Sequence, residues 1–526
     1  MITKINKIAG ALVSAALITF HAPLFTSCSD SLDQAPLGTL AQGNLPSSDA
    51  DAIALVNSVY QVNVGKSTAF GYMTDLVTET TISGENPNGG GGLLGLLKWD
   101  ATNSYVVGMW SDLFRGIANA NDAIDNVDGN SNISVAIQQR VVGEAQFLRA
   151  YFLNYAVQFW GEVPIVLHNV DGSGVTRQPI DDVYTQIESD LLSAASKLPA
   201  EYGNTDKGRA TSGAAWALLS KVYLTWGQVS PTLSDSQRKE KFAASVEAAN
   251  KVTGYELEED FLANWDNNNR NGKESIFATQ HNTGSAADGS GGNHLCHCAF
   301  SNGFSNGLPH VVPANRDIQN SYEEGDQRRE GSFADSLFND ATGEYFYFDL
   351  PRFRKYIDAS DPNGSANNRN INRSILRYAE VLLVKAEAIN ERDGQPNSEA
   401  YEAINQVRRR AFKSFPVTVA SSHDLPTGLD YEGFKAAIQQ EREWEFVYEQ
   451  KHWLDLVRWR ILVKTIKNST VAQDPQYNKQ TISLVHYRYP IPQAQREINP
   501  DGLWQNWGYD GYDESKTGSN PYAGFE

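Results

Sequence analysis

One stretch, Tyr431 to Leu462, constrains the fold more than any other. It contains no Pro, and its only Gly, Gly433, stands near the start. Strong helix formers fill it, which predicts at least one long helix. Trp444, Phe446, Tyr448, Trp453 and Trp459 crowd into it, with charges interleaved among the rings instead of gathered on one face. Glu441, Glu445 and Glu449 recur at i, i+4 spacing, so three like charges share one stripe and repel. That repulsion is tolerable if Arg442, Lys451 or Arg458 answers the carboxylates from a neighbouring turn or helix. The segment is therefore expected to pack on several sides with partly buried ion pairs. Two readings stand: a structural staple, or a set of catalytic carboxylates.

The chain has 526 residues, enough for a large core in one or two domains. Its net charge of −19 argues against nucleic acid, whose binding rests on Lys and Arg contacts to phosphate, and favours a neutral ligand over a polyanion. The 11 Trp, 23 Tyr and 22 Phe supply many flat apolar rings that suit sugar faces, although most such rings in any protein are core. Three cysteines, Cys28, Cys296 and Cys298, exclude a disulfide framework.

Residues 1–27 form a targeting segment: Lys4 and Lys7 precede a short apolar run from Ile8 to Phe20, too short to span a membrane comfortably. Thr26 and Ser27 lead into Cys28, the pattern of a bacterial lipoprotein signal cut before an acylated Cys, with Phe25 where Leu is usual. The alternative is an ordinary secretory signal followed by an unmodified Cys. Residues 28–48 are a tether. Helices are expected over 49–64, 104–127, 134–160, 180–198, 211–226, 237–252, 374–392 and 397–412, from apolar spacing and capping residues. The run Asn86 to Gly92 is expected to be loop. Residues 261–373 change character to long Gly, Asn, Ser and Asp-rich loops, uncommon unless functional or disordered.

Three motifs in order carry a family resemblance. Glu441-Arg442, Glu445-Phe446, Glu449 and Asp455-Leu456-Val457-Arg458-Trp459 form one. Arg377-Tyr378-Ala379-Glu380 running into an apolar helix, with Asn405 and Val407-Arg408 beyond, forms another. Tyr489-Pro490-Ile491-Pro492 with Gln505-Asn506-Trp507-Gly508-Tyr509 forms the third. The chain resembles the SusD/RagB family of surface glycan-binding lipoproteins over Cys28 to Tyr509. His452 stands where the family usually has Arg, which puts one salt bridge in doubt. The resemblance implies an all-α fold of tetratricopeptide-like paired helices over residues 49–526, with a loop-rich ligand region at about 261–373. It also implies a lipid anchor at Cys28 in the outer membrane, and a SusC-like TonB-dependent transporter as partner. Glu441, Arg442, Glu445, Glu449, Asp455, Arg458, Arg377 and Glu380 are then structural. The residues alone show no strict 34-residue period.

No Gly-x-Ser-x-Gly elbow, nucleotide-binding Gly loop or His-Glu-x-x-His occurs. His294 with Cys296-His297-Cys298 has the wrong spacing for one ion, and a binder that breaks no bond is expected to need neither metal nor cofactor. A glycosidase needs two carboxylates across a sugar, and the many acids here single out no pair. Glycan binding has more support. Trp99, Asn88, Asp100 and Asn103 lie around one glycine-rich loop, and His281, His294, Phe300, Asn302 and Phe304 lie in another. Trp99 is either a ring platform or a core side chain under the loop. The alternatives to a glycan binder are a surface-tethered glycoside hydrolase and a RagB-like peptide binder.

Overall fold

Apolar spacing along the longest segments explains the architecture. The structure is a computed structural model that describes residues 46–63, 67–84, 86–169, 174–281, 311–339, 343–356 and 371–526. Cys28 and the tether to residue 45 lie outside the described residues. Among the described residues, nine helices of fourteen residues or more carry the fold. They are α1 (Asp49–Asn63), α2 (Ser104–Val127), α3 (Val135–Trp160), α4 (Ile180–Lys197), α5 (Ser212–Val229), α6 (Asp235–Asn250), α7 (Tyr378–Asp393), α8 (Ser398–Ala411) and α9 (Tyr431–Phe446). Each packs against its neighbour in sequence from α1 through α8, and α9 returns onto α7. This is a mainly α fold of tetratricopeptide-like helix pairs.

Local chemistry sets the boundaries. Asn103 caps α2 by accepting from the Tyr105 N–H, and Val106, Met109, Trp110, Leu113, Ile117 and Ala120 form its buried stripe. α3 is buried on all sides from Val141 onward, because α1, α2 and α4 all pack on it. Gly161, at φ +75°, ends it. Gly116 lets α2 and α3 approach closely: a Cβ there would stand 2.4 Å from the Phe152 ring. Small residues do the same for α5, whose Gly213, Ala214, Ala215 and Ala217 are buried.

The strands are short and pair in twos. They are β1 (Thr81–Ser83), β2 (Val163–Pro164), β3 (Arg177–Gln178), β4 (Ser275–Thr279), β5 (Val311–Pro313), β6 (Phe333–Asn339), β7 (Glu344–Phe353) and β8 (Arg373–Arg377). The antiparallel pairs are β1–β5, β2–β3, β4–β8 and β6–β7. α6 and α7 touch directly although residues 251–377 separate them, so that stretch leaves the helical stack and returns. The β4–β8 ladder, with Ser275 opposite Arg377 and Thr279 opposite Arg373, closes the neck of this excursion.

Three expectations change. Residues 374–377 are strand, with α7 starting at Tyr378, because their backbone completes the β4–β8 ladder. The glycine run is not all loop: a short helix occupies Gly90–Gly95. A Cβ at Gly92 would stand 2.1 Å from the Asn86 carbonyl oxygen. The loop-rich region holds a hairpin, β6–β7. Tyr431–Leu462 holds the expected long helix and then breaks. α9 stops at Phe446, and Tyr448 and Gln450 take positive φ of 60° and 58° before a short helix at His452–Arg458. Lys355 Nζ and Arg377 Nη2 both donate to the Glu445 carbonyl oxygen, so that acceptor is no longer free for the next helical turn.

Candidate functional site

The carboxylate stripe of α9 is the densest polar feature. Arg377 donates to Glu449 at 2.9 Å, to Glu274 at 2.7 Å and to Glu445. Arg410 bonds Glu274 at 2.9 Å and also Glu445. Arg328 reaches Glu441 at 2.6 Å, Glu445 at 3.0 Å and Asp326 at 2.7 Å. Arg408 reaches Glu441 at 3.1 Å, and Lys355 reaches Glu449 at 2.7 Å. All these groups are buried. The cations that answer the stripe are therefore Arg328, Lys355, Arg377, Arg408 and Arg410, and not the nearer Arg442, Lys451 and Arg458. Those three serve a second cluster facing α5 and α7. There Arg442 and Arg458 each bond Asp455 at 2.9 Å, Arg458 bonds Glu387 at 2.9 Å, and Lys451 and Lys221 bond Glu380 at 2.7 and 2.8 Å.

Burial alone would raise the Glu445 carboxyl, but the guanidiniums of Arg410, Arg377 and Arg328 hold it well below the usual range. It stays ionised, buried and committed to three cations. Such a group neither offers a lone pair to a substrate nor carries a proton at neutral pH, so the geometry suits a staple joining α9, α8 and the excursion.

His452 makes a salt bridge after all, Nε2 to Glu79 Oε1 at 2.6 Å. Glu79, Glu443 and His452 lie within ligand distance of one another. Burial lowers the imidazole, but the Glu79 carboxylate overrides it and raises the ring to about 9. As it stands the trio is an ion pair with a second carboxylate beside it.

The expected ligand residues separate. Trp99 is a core side chain, 6 % exposed. Its Nε1 donates to the Tyr509 hydroxyl at 2.9 Å, His486 stands edge-on to it and Tyr489 lies 5.0 Å away. With its ring faces covered, it is no surface platform. Asn103 is buried in its capping role and donates to the Gly90 carbonyl at 3.0 Å. His281 is buried at the neck of the excursion, against Thr279 and Asn372. Asn88 and Asp100 are exposed. Asp100 lines a cleft of about 630 Å³ with Gln493, Arg496, Glu497, Tyr509 and Asp510. His294, Phe300, Asn302 and Phe304, with Cys296 and Cys298, lie outside the described residues.

Sequence reasoning missed a pair of rings on β7. Tyr345 is 60 % and Tyr347 73 % exposed, with centroids 6.2 Å apart at 36°. Residues two apart on a strand share a face. The intervening Phe346 and following Phe348 turn inward, their rings 5.3 Å apart. The signal was present as strict alternation in Glu344-Tyr345-Phe346-Tyr347-Phe348, hidden by the surrounding loop composition. The β1–β5 ladder joins the start of the first expected ligand loop to the end of the second, and β7 packs against β5. The tyrosine pair therefore lies on a hairpin that packs against the β1–β5 ladder.

A family model described as the SusD family matches residues 264–509, and one described as starch-binding associating with outer membrane matches residues 54–224. SusD-like protein P25 of Formosa agariphila is 27% identical over 90% of this chain and 94% of its own length. A SusD homologue from Bacteroides thetaiotaomicron superposes with a TM-score of 0.76 at 24% identity, covering 88% of this chain and 97% of that one. Surface glycan-binding protein A from Bacteroides fluxus superposes with a TM-score of 0.71 at 25% identity, covering 88% of this chain and 100% of that one.

Proposed function

This chain belongs to the SusD family, and on that premise we propose that it captures a neutral oligosaccharide or polysaccharide at the outer-membrane surface and passes it to a SusC-like TonB-dependent transporter. The anchor is a lipid on Cys28, which needs no spanning helix. The similarity to a protein named for surface glycan binding supports the cargo class. The observation that carries the reading is the tyrosine pair on β7: two large exposed rings side by side, tilted 36° to each other, present apolar faces of the kind a pyranose stacks on. No bond need break, and the buried carboxylates of α9 are fully engaged by cations.

The test is a polysaccharide panel followed by titration calorimetry on the best ligand. The Tyr345→Ala, Tyr347→Ala double variant should weaken binding by roughly five- to hundredfold, the equivalent of about 1–3 kcal/mol for ring stacking, with no change in melting temperature. Undiminished affinity in that variant, or reducing ends accumulating in the wild-type tubes, would overturn the reading.

A further inference from the structure

Among the described residues most buried arginines pair with carboxylates, but the arginines around one cleft do not. A cleft of about 300 Å³ opens where the ends of α3 and α5 meet residues 457–460, 487–488, 506–507 and 521–525. Arg177, Arg460 and Arg488 line it, against a single carboxylate, Glu162. Arg177 gives its hydrogen bonds to neutral oxygens: the Glu162, Trp504 and Trp160 carbonyls and Asn506 Oδ1. Arg488 is 9 % exposed. Its Nη1 donates to the Gln158 and Tyr487 carbonyls at 3.3 and 3.0 Å, while Nε and Nη2 have no partner among the described residues. Arg460 is exposed and donates from Nη2 to the Gln228 carbonyl at 3.0 Å, leaving Nε and Nη1 open among the described residues. Arg238, behind the wall, bonds only the Gly227, Gln228 and Ser230 carbonyls. Among the described residues, none of these four guanidiniums forms an ion pair with a carboxylate.

Rings complete the cleft. Tyr522 stacks on Tyr487 with centroids 5.4 Å apart at 16°, and half-buried Trp507 stands edge-on to Tyr522 at 6.2 Å. The Arg460 guanidinium lies 4.9 Å from the Phe525 centroid. The cleft volume falls at the lower end of the range for small-molecule sites. In a chain of net charge −19, a pocket lined by three guanidiniums against one carboxylate and by an aromatic wall is a local reversal of sign.

We propose that this cleft binds the anionic residue of an acidic glycan. A uronate carboxylate or a sulfate ester would meet the open donors of Arg488 and Arg460, with the sugar ring against Trp507. Overall negative charge disfavours a long polyanion, so one or two charged sugar units suit the pocket better than a dense chain. The cleft shares no residue with the tyrosine pair on β7, and the inference stands apart from the neutral-glycan reading.

Calorimetry on the mature protein with trigalacturonate, 6-sulfated galactose and galactotriose tests it. At least one anionic probe should bind and weaken as salt is raised, with galactotriose not binding at this cleft. The tighter of the two anionic probes assigns carboxylate or sulfate. Arg460→Glu, at an exposed position, should cost about tenfold or more in affinity, as should Arg488→Met. The Tyr345→Ala, Tyr347→Ala variant should keep its affinity for the anionic probe. The proposal falls if neither anionic probe binds, if binding ignores both arginine substitutions, or if the tyrosine double variant abolishes it.

Discussion

Glu445→Gln isolates charge from shape. In the native protein one oxygen of Glu445 accepts from Arg377 and Arg410, and the other accepts from Arg328 at 3.0 Å. An amide of nearly the same volume keeps one acceptor and turns an N–H group toward a guanidinium, donor against donor. It also leaves three buried cations sharing Glu274, Glu441, Glu449 and Asp326 with one negative charge removed. Breaking one member of a buried pair costs about 3–5 kcal/mol. For the unit of residues 48–526, unfolding entropy of about 2.1 cal/mol/K per residue gives about 1 kcal/mol per kelvin, so the melting temperature should fall by about 3–5 °C. Scanning calorimetry at neutral pH reads this directly. The sign with pH is also set. Because the folded carboxyl is held well below its ordinary value of 4.5, its contribution is present above that value and disappears as pH falls through the folded value. The gap between wild type and variant should therefore close on acidification. A variant that melts within about 1 °C of wild type at neutral pH would refute the staple. A variant of native stability that loses glycan affinity would make this helix part of the ligand site.

Three further outcomes are expected. Trp99→Ala should cost about 3–5 kcal/mol of stability, read by thermal melting, while the folded fraction binds the best polysaccharide normally; an unchanged melt with lost binding would return Trp99 to the ligand surface. His452→Gln should destabilise below pH 6.5, where the imidazolium pairs with Glu79, and the difference should vanish as pH rises through about 9, because a raised folded value gives stability that is lost on deprotonation; a pH-independent difference would contradict the ion pair. Cys28→Ala should release the mature protein from the membrane fraction, and unchanged fractionation would remove the lipid anchor.

The long helices were readable because their signals are local. Asn103 before α2, Thr211 before α5 and Gly394 after α7 act within one turn, and the apolar stripe of α2 repeats at helical spacing. Charge also showed that α9 had to be buried among partners. Ligand residues were harder, since a bulky ring after four glycines suggests surface as readily as core. Trp99 is core because His486, Tyr489 and Tyr509 close over it, and all three lie nearly 400 residues or more further along the chain. The tyrosine pair on β7 was hidden for a related reason: period-two alternation marks a strand but not which face meets water.

Capping and periodicity marked the individual helices and their order along the chain. These depend on residues within a few positions of one another, which any reading along the chain contains. Partner choice was decided in three dimensions. Glu445 meets Arg328, Arg377 and Arg410 because α8, β8 and the excursion converge on α9. The arginines of the aromatic cleft form no ion pair among the described residues; carbonyls from α3, α5 and the C-terminal segment accept their hydrogen bonds instead. Coulomb energy depends on distance through space, and spacing along the chain does not encode it.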